Sequence, residues 1–264
     1  MSNPTARATR PYFIATPESR WGFIERDVEF TWHKGMSWQV KQRSSLAMQA
    51  EIERLRPALA GKVLEVSTKS VDYELGCALS AFNLMLRDPE TGEEHPLENW
   101  FQSSKRWRGA DGQARGPYPE LLELKPADAK SYVSRGSSAK PNARQAADPL
   151  FARIQGELAD ARFDGFEFAG RDFPTTPRSA FYDYLYATAL SQERNAHLGE
   201  ALMNYRAFTD IEFKPTDARG HVVKFNTQAR SCAIYVTLAV RGTLDEALSD
   251  VESFIEKVGY PPSL

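Results

Sequence analysis

Hydrophobic and polar positions alternate near the start of the chain and then give way to longer apolar periods. Tyr12 to Ala15 and Phe23 to Trp32 are rich in aromatic and β-branched residues with a partial alternation, which predicts two strands. A helical pattern follows from about Ser44 to Leu55, and Lys62 to Val66 reads as a short strand running into the polar turn Ser67-Thr68-Lys69-Ser70. Glu74 to Leu86 is mostly apolar and stops at Asp88-Pro89, with Thr91-Gly92 completing a turn signal. Pro96 suits the first position of a helix predicted over Leu97 to about Trp107. Gly109, Gly112, Gly116 and Pro117 mark 108–118 as a loop, and a second polar loop spans Ser131 to Asn142. Asp148-Pro149 introduces a helix to about Ala161, and a long, broken helical pattern runs from Ser179 to Tyr205. Phe208 to Phe213 alternates like a strand, and Ala229 to Val240 and Leu244 to Val258 predict two closing helices.

Strands and helices mix without a regular βαβ rhythm, so the pattern predicts an α+β fold with more helix than strand. Residues 1–10 are expected to be a flexible tail. Residues 11–60 are expected to form a small β-containing extension packed on the core, and 61–264 the main domain. Hydrophobic residues at 42% and aromatics at 11% are enough for a real core. With 33 basic against 35 acidic residues, the formal net charge of -2 excludes a protein that coats duplex DNA through its phosphates. Any nucleic-acid contact must be confined to a patch. Cys77 and Cys232 have neither metal-ligand spacing nor a disulfide framework, and the expectation is two reduced, buried thiols. Met1 to Arg10 lacks a signal-peptide core, and no apolar run reaches membrane-spanning length, so a cytoplasmic location is expected.

The chemistry concentrates between Leu79 and Lys105. On the predicted helix, Glu98, Gln102 and Lys105 stand at i, i+4 and i+7 and share one face. Two turns, about 10 Å of rise, separate the acid from the amine. On that geometry the two cooperate only through a ligand lodged between them. A lysine that has lost its proton can attack a ribose carbon and form a Schiff base, and a nearby carboxylate can move the protons. The bland alternative is a Glu98 that satisfies backbone donors in the first turn and a Lys105 that complements the helix dipole. His33, His95, His197 and His221 show no metal-ligand spacing, and no metal or cofactor is called for.

Leu79-Ser80-Ala81-Phe82-Asn83, a turn, and then Glu98-Asn99-Trp100-Phe101-Gln102-Ser103-Ser104-Lys105 resembles the NADAR signature. That signature is a Leu-Ser-Asn-Phe-like segment followed by Glu-His, two aromatics, Gln and a Lys three residues on. Ala81 replaces the usual Asn and Asn99 the usual His. Further segments resemble the branch of NADAR antitoxins encoded beside DarT-type toxins that ADP-ribosylate guanine in DNA. They are Leu64 to Ser70, Gly116-Pro117-Tyr118, Ala180 to Tyr186, Phe208 to Phe213 and Asn226 to Cys232. The resemblance implies an enzyme that removes ADP-ribose from guanine and so reverses the toxin, with ADP-ribose as ligand or product. It also implies ligand contacts from Ser80, Phe82, Asn83, Trp100 and Gln102, with Trp100, like Phe101, first of all a core candidate. Two alternatives stand beside it: a non-catalytic antitoxin that binds ADP-ribose or the toxin, and an N-glycosidase of early riboflavin intermediates, as in a more distant branch.

Other candidates have structural alternatives. Lys69 competes with Lys105 for the nucleophile's role, or is a surface lysine. Strand alternation would put Asp210 and Glu212 on one face, over the pocket or in solvent. Asn226, Gln228 and Arg230 precede an apolar helix, where free N–H groups and an arginine suit a diphosphate, unless the helix is simply capped. Tyr118 offers a ring for stacking on a base, whereas Tyr182 and Tyr186, one turn apart, are expected in the core. Lys130, Arg135, Lys140 and Arg144, with Lys105, Arg106 and Arg108, are a candidate DNA contact or a solvated set of loops.

Overall fold

The computed structural model describes residues 5–134, 141–216 and 224–261. The fold is α+β, in two compact units: Met1–Asn83 with Pro177–Leu264, and Leu84–Thr176. In the first unit, β1 (Thr5–Ala15) and β2 (Phe23–His33) form an antiparallel ribbon with Thr5 opposite His33 and Ala15 opposite Phe23. Residues 5–10 are therefore strand rather than tail. Their mixed side chains carry little alternation, but Val28 to His33 satisfies their backbone. Residues 1–4 of the expected tail lie outside the described residues.

The ribbon is part of a four-stranded sheet in the order β2-β1-β10-β3, where β3 is Val63–Glu65 and β10 is Ala207–Thr209. β1 runs antiparallel to β10, and β10 parallel to β3 with Phe208 opposite Leu64. Residues 11–60 thus supply two of the four strands. α1 (Trp38–Leu55) starts earlier than its apolar pattern suggests, because the Ser37 hydroxyl accepts the Val40 N–H as an N-cap. It packs on one face of the sheet through Met48 and Ile52, against Tyr12, Val28, Phe30 and Ile211. Phe13 points the other way, toward Phe23 and Phe213.

The long pattern from Ser179 divides into α6 (Ala180–Ser191) and α7 (Ala196–Leu202) around a short 3₁₀ turn. α8 (Gln228–Arg241) is buried along most of its length and packs on α6 and β1. The last predicted helix is two, α9 (Leu244–Leu248) and α10 (Val251–Val258), because Asp250 caps Ser253 and restarts the ladder. Tyr182 and Tyr186 are buried with their rings 5.2 Å apart.

The second unit holds a hairpin of β4 (Met85–Arg87) and β5 (Glu94–Pro96), which leads directly into α2 (Leu97–Ser103). Its sheet has the order β7-β6-β8-β9, from β6 (Lys105–Arg108), β7 (Ala114–Arg115), β8 (Arg162–Phe168) and β9 (Arg171–Phe173). Trp107, Tyr118, Leu121, Tyr132 and Ile154 form its core with α3 (Pro126–Tyr132) and α5 (Pro149–Leu158). Between them lies the one-turn α4 (Ala143–Ala146), with a capping box from Asn142 and Gln145.

Candidate active site

The helix that carries Glu98 stops earlier than its pattern implies, and the reason lies far along the chain. A continuing helix would need the Ser103 and Ser104 carbonyls for its own ladder. Instead Ser103 O accepts the Tyr118 N–H at 2.7 Å and Ser104 O accepts the Glu167 N–H at 2.8 Å. Lys105 therefore begins β6, opposite Phe166. This corrects the two-turn separation expected of a continuous helix. Glu98 and Lys105 are joined by a side chain of the protein itself: Gln102 Nε2 donates to Glu98 Oε1 at 2.8 Å, and Lys105 Nζ donates to Gln102 Oε1 at 2.5 Å.

Glu98 and Gln102 are buried, and Lys105 is partly so. Burial lowers the Lys105 pKa from 10.5 to about 8; the Glu98 charge opposes that fall and Lys130 adds to it. The ammonium also sits 4.9 Å from the centroid of the Phe101 ring. At pH 7 a pKa of about 8 leaves roughly a tenth of the amine unprotonated, against roughly 0.03% at 10.5. Such an amine is a competent nucleophile, with a carboxylate one amide away.

The neighbours of this trio are held by the protein's own contacts, and Trp100 also lines a cavity of about 220 Å³ with Ser103, Ser104 and Phe168. Trp100, a candidate for ligand contact, is buried; its indole donates to Leu86 O at 2.8 Å and its ring meets His95 and Phe168 edge-on. Asn99 donates to the carbonyls of Leu121, Leu122 and Leu124 at 2.9, 3.1 and 2.7 Å, anchoring the 119–124 segment rather than facing Glu98. The Tyr118 ring is not free to stack on a base: it packs against Trp107, and its hydroxyl donates to Glu157. Burial, with that carboxylate second, raises its pKa. Tyr118 does line a cleft of about 930 Å³ with Arg115, Glu120 and Arg153. Of the candidate DNA contacts, Arg106 pairs with Glu167 and Asp172, and Arg108 with Asp164. Lys130 and Arg144 are exposed, and Arg135 and Lys140 lie outside the described residues.

The first unit gathers a second set of candidates. Lys69 Nζ donates to Thr68 Oγ1 at 2.9 Å and lies 4.0 Å from Glu212 Oε2, whose other oxygen is held by Lys41 of α1. β10 ends at Thr209, so Asp210 and Glu212 do not share a strand face. Asp210 is buried, accepting from Thr227 Oγ1 and the Glu212 N–H at 3.1 Å each, while Glu212 is exposed. The alternation fails because the Ile211 N–H donates to Glu65, which turns the chain away from the ladder. Burial, followed by the Glu65 charge, pushes the Asp210 pKa up to about 7.

Glu65 and Lys41 were not singled out from sequence, although a carboxylate inside the apolar run Val63 to Val66 is a visible anomaly. Glu65 is fully buried among donors: Ser67 Oγ and Thr209 Oγ1 at 2.6 Å, and Ile211 N at 2.9 Å. Gly76 closes this corner. A Cβ there would fall 2.3 Å from Glu65 O and 2.2 Å from Ser70 Oγ, so only glycine fits.

The remaining candidates differ in what they leave available. Ser80 is buried, Phe82 and Asn83 are exposed, and Asn83 donates to Cys77 O. Gln228 Oε1 already accepts the Ala81 N–H and the Tyr186 hydroxyl. Asn226 Oδ1 is buried without a hydrogen-bond partner, an open acceptor. Arg230, expected to meet a diphosphate, is 2% exposed and paired with the fully buried Asp183 at 3.2 Å, while also donating to Phe225 O. Its charge is thereby matched inside the protein, although it lines a cleft of about 690 Å³ with Phe23, Glu25 and Phe225. Cys77 and Cys232 are free and buried, and burial raises both thiol pKa values. Among the described residues no group of three His, Cys, Asp or Glu can hold a metal, and no helix is long and apolar enough to cross a membrane.

A family model described as DarT1-associated NADAR antitoxin matches residues 8–143 and 149–262. The matched residues take in the Glu98–Gln102–Lys105 trio and the Glu65, Lys69 and Asp210 cluster alike. No curated protein matches the chain significantly.

Proposed function

The chain belongs to the family of DarT1-associated NADAR antitoxins, and on that premise we propose that it neutralises the toxin as an enzyme, an ADP-ribosylglycohydrolase that frees guanine in DNA from ADP-ribose. The observation that carries this reading is the hydrogen-bonded line Glu98–Gln102–Lys105, with the amine's pKa lowered to about 8. The Lys105 nitrogen attacks the anomeric carbon of the ribose, and the N-glycosidic bond to guanine breaks. The guanine nitrogen takes a proton as it leaves. Opening of the ribose ring gives a Schiff base, which water hydrolyses to ADP-ribose and the free amine. Glu98 handles the protons of this exchange, acting on the reactant rather than through the Gln102 amide.

The Lys69 cluster enters the same reading as the second candidate. Lys69 is engaged by Thr68 and Glu212, and with Lys69 as the nucleophile Asp210 of the same unit, its pKa pushed up to about 7, suits activation of the hydrolytic water. ADP-ribose is ligand and product, and no cofactor takes part.

The test is borohydride trapping during turnover on guanine-ADP-ribosylated single-stranded DNA, followed by peptide mapping. A reduced adduct on Lys105 is the expected result. The mechanism fails if neither Lys105 nor Lys69 carries an adduct while Lys105→Ala keeps full activity. A purely binding antitoxin would instead protect cells after Glu98→Ala, which the enzyme would not.

A further inference from the structure

Glu65 belongs to none of the steps above, yet it is the most heavily hydrogen-bonded carboxylate of the Lys69 cluster. Its Oε1 accepts from Ser67 Oγ at 2.6 Å and from the Ile211 N–H at 2.9 Å, and its Oε2 accepts from Thr209 Oγ1 at 2.6 Å. Ser45 of α1 bonds to it as well. Ser67 in turn accepts the Lys69 N–H at 3.1 Å, so the turn that carries Lys69 hangs from the Glu65 carboxylate. On the other side, Thr209 and Ile211 flank Asp210. One carboxylate therefore ties together the two turns that present the lysine and the acid.

From this geometry we infer that Glu65 is the positioning residue of the Lys69–Asp210 cluster: it clamps the 67–70 and 209–212 turns to each other and sets a second buried carboxylate against Asp210. The inference rests on the reading that this cluster serves the cleavage of ADP-ribose.

Two observations support the division of charge. Contacts of 2.6 Å from hydroxyls match O–H···O⁻ bonds to an ionised carboxylate, and Glu65 collects four donors where Asp210 has two. Burial raises the pKa of both acids, but the one with more donors keeps its charge longer. The pair titrates as a coupled unit, with the proton held mainly on Asp210. The other groups that face Asp210 leave this arrangement in place. Glu212, on its own turn, opposes ionisation; Tyr186 of α6 and Cys232 of α8 feel the Asp210 charge, and burial raises their pKa values. Thr227 contributes a neutral hydroxyl. Lys41 and Lys69 both lie against Glu212.

The experiment is a ¹³C NMR titration of the Asp210 carboxyl in the full chain, without substrate, comparing wild type with Glu65→Gln. The glutamine keeps an acceptor for Ile211 and removes the charge. The Asp210 midpoint is expected to fall from near 7 by about one pH unit or more, and the Lys69 amide to exchange faster with solvent. An unchanged midpoint overturns the inference. Should Glu65→Gln fail to fold, Thr209→Val removes one donor from Glu65 and draws the shared proton toward it, so the Asp210 midpoint must again fall; if it stays, the inference is equally lost. Because no substrate is present, this outcome is separate from the fate of the cleavage reading, which stands or falls on ADP-ribose release by the wild type.

Discussion

Each unit of this protein presents a lysine together with an acid, and the two do so by different means. In Leu84–Thr176, Lys105 reaches Glu98 only through the Gln102 amide, and burial brings its pKa to about 8. In the other unit, Lys69 lies 4.0 Å from the partly exposed Glu212, and Lys41 shares that carboxylate. Buried contact through an amide leaves the amine able to lose its proton. Where the second unit carries a perturbed base, the first carries a perturbed acid, Asp210. The comparison predicts that the lysine whose pKa is lowered, rather than the one beside the Glu212 carboxylate, is the reactive one.

The largest effect that can break this comparison is on turnover. Lys105→Ala is expected to lower ADP-ribose release about a thousandfold, and Lys69→Ala about tenfold, in single-turnover assays on modified single-stranded DNA. The reverse ranking would assign the chemistry to the lysine of the ion pair. Next in size is Glu98→Gln, expected to cost about a hundredfold and to shift the pH profile. Attack by the free Lys105 amine predicts that wild-type activity falls as pH drops below about 8. The Glu98 charge raises the Lys105 pKa, so its removal moves that limb toward lower pH. A limb that stays put would show that the titrating group is not Lys105. The smallest effect is on stability. Gly76→Ala forces a Cβ against Glu65 O and Ser70 Oγ and is expected to destabilise by about 1–3 kcal/mol, read as a lowered urea midpoint. An unchanged midpoint would mean that the Glu65 corner yields easily and that the first unit's acid cluster is less rigid than its contacts imply.

Glu98, Gln102 and Lys105 stand out in the sequence through the family-like order of residue types; their spacing alone leaves the capping and helix-end readings open. How they meet was not legible. The stop at Ser103 is written in Tyr118 and Glu167, whose N–H groups capture the carbonyls a longer helix would use. Strands β1 and β2 were visible from aromatic and β-branched content, yet the start of β1 at Thr5 depends on its partner rather than on its own alternation. The same holds for Asp210 and Glu212: six residues with strand-like periodicity turn aside at Asp210 because Glu65 takes the Ile211 N–H. Arg230, expected to meet an anion, has a buried carboxylate partner that nothing near it in sequence announces, Asp183, 47 positions away. Local pattern reports what a segment can do; capture of its polar groups by distant residues decides what it does.

The amide of Gln102 has one more consequence. A carboxylate and an amine in direct contact would each fix the other's charge, and the site would rest as a neutralised salt. A glutamine accepts on one side and donates on the other but cannot itself hold a net proton near neutral pH. It acts as a spacer that prevents direct contact, while the Glu98 charge still acts on Lys105 across it.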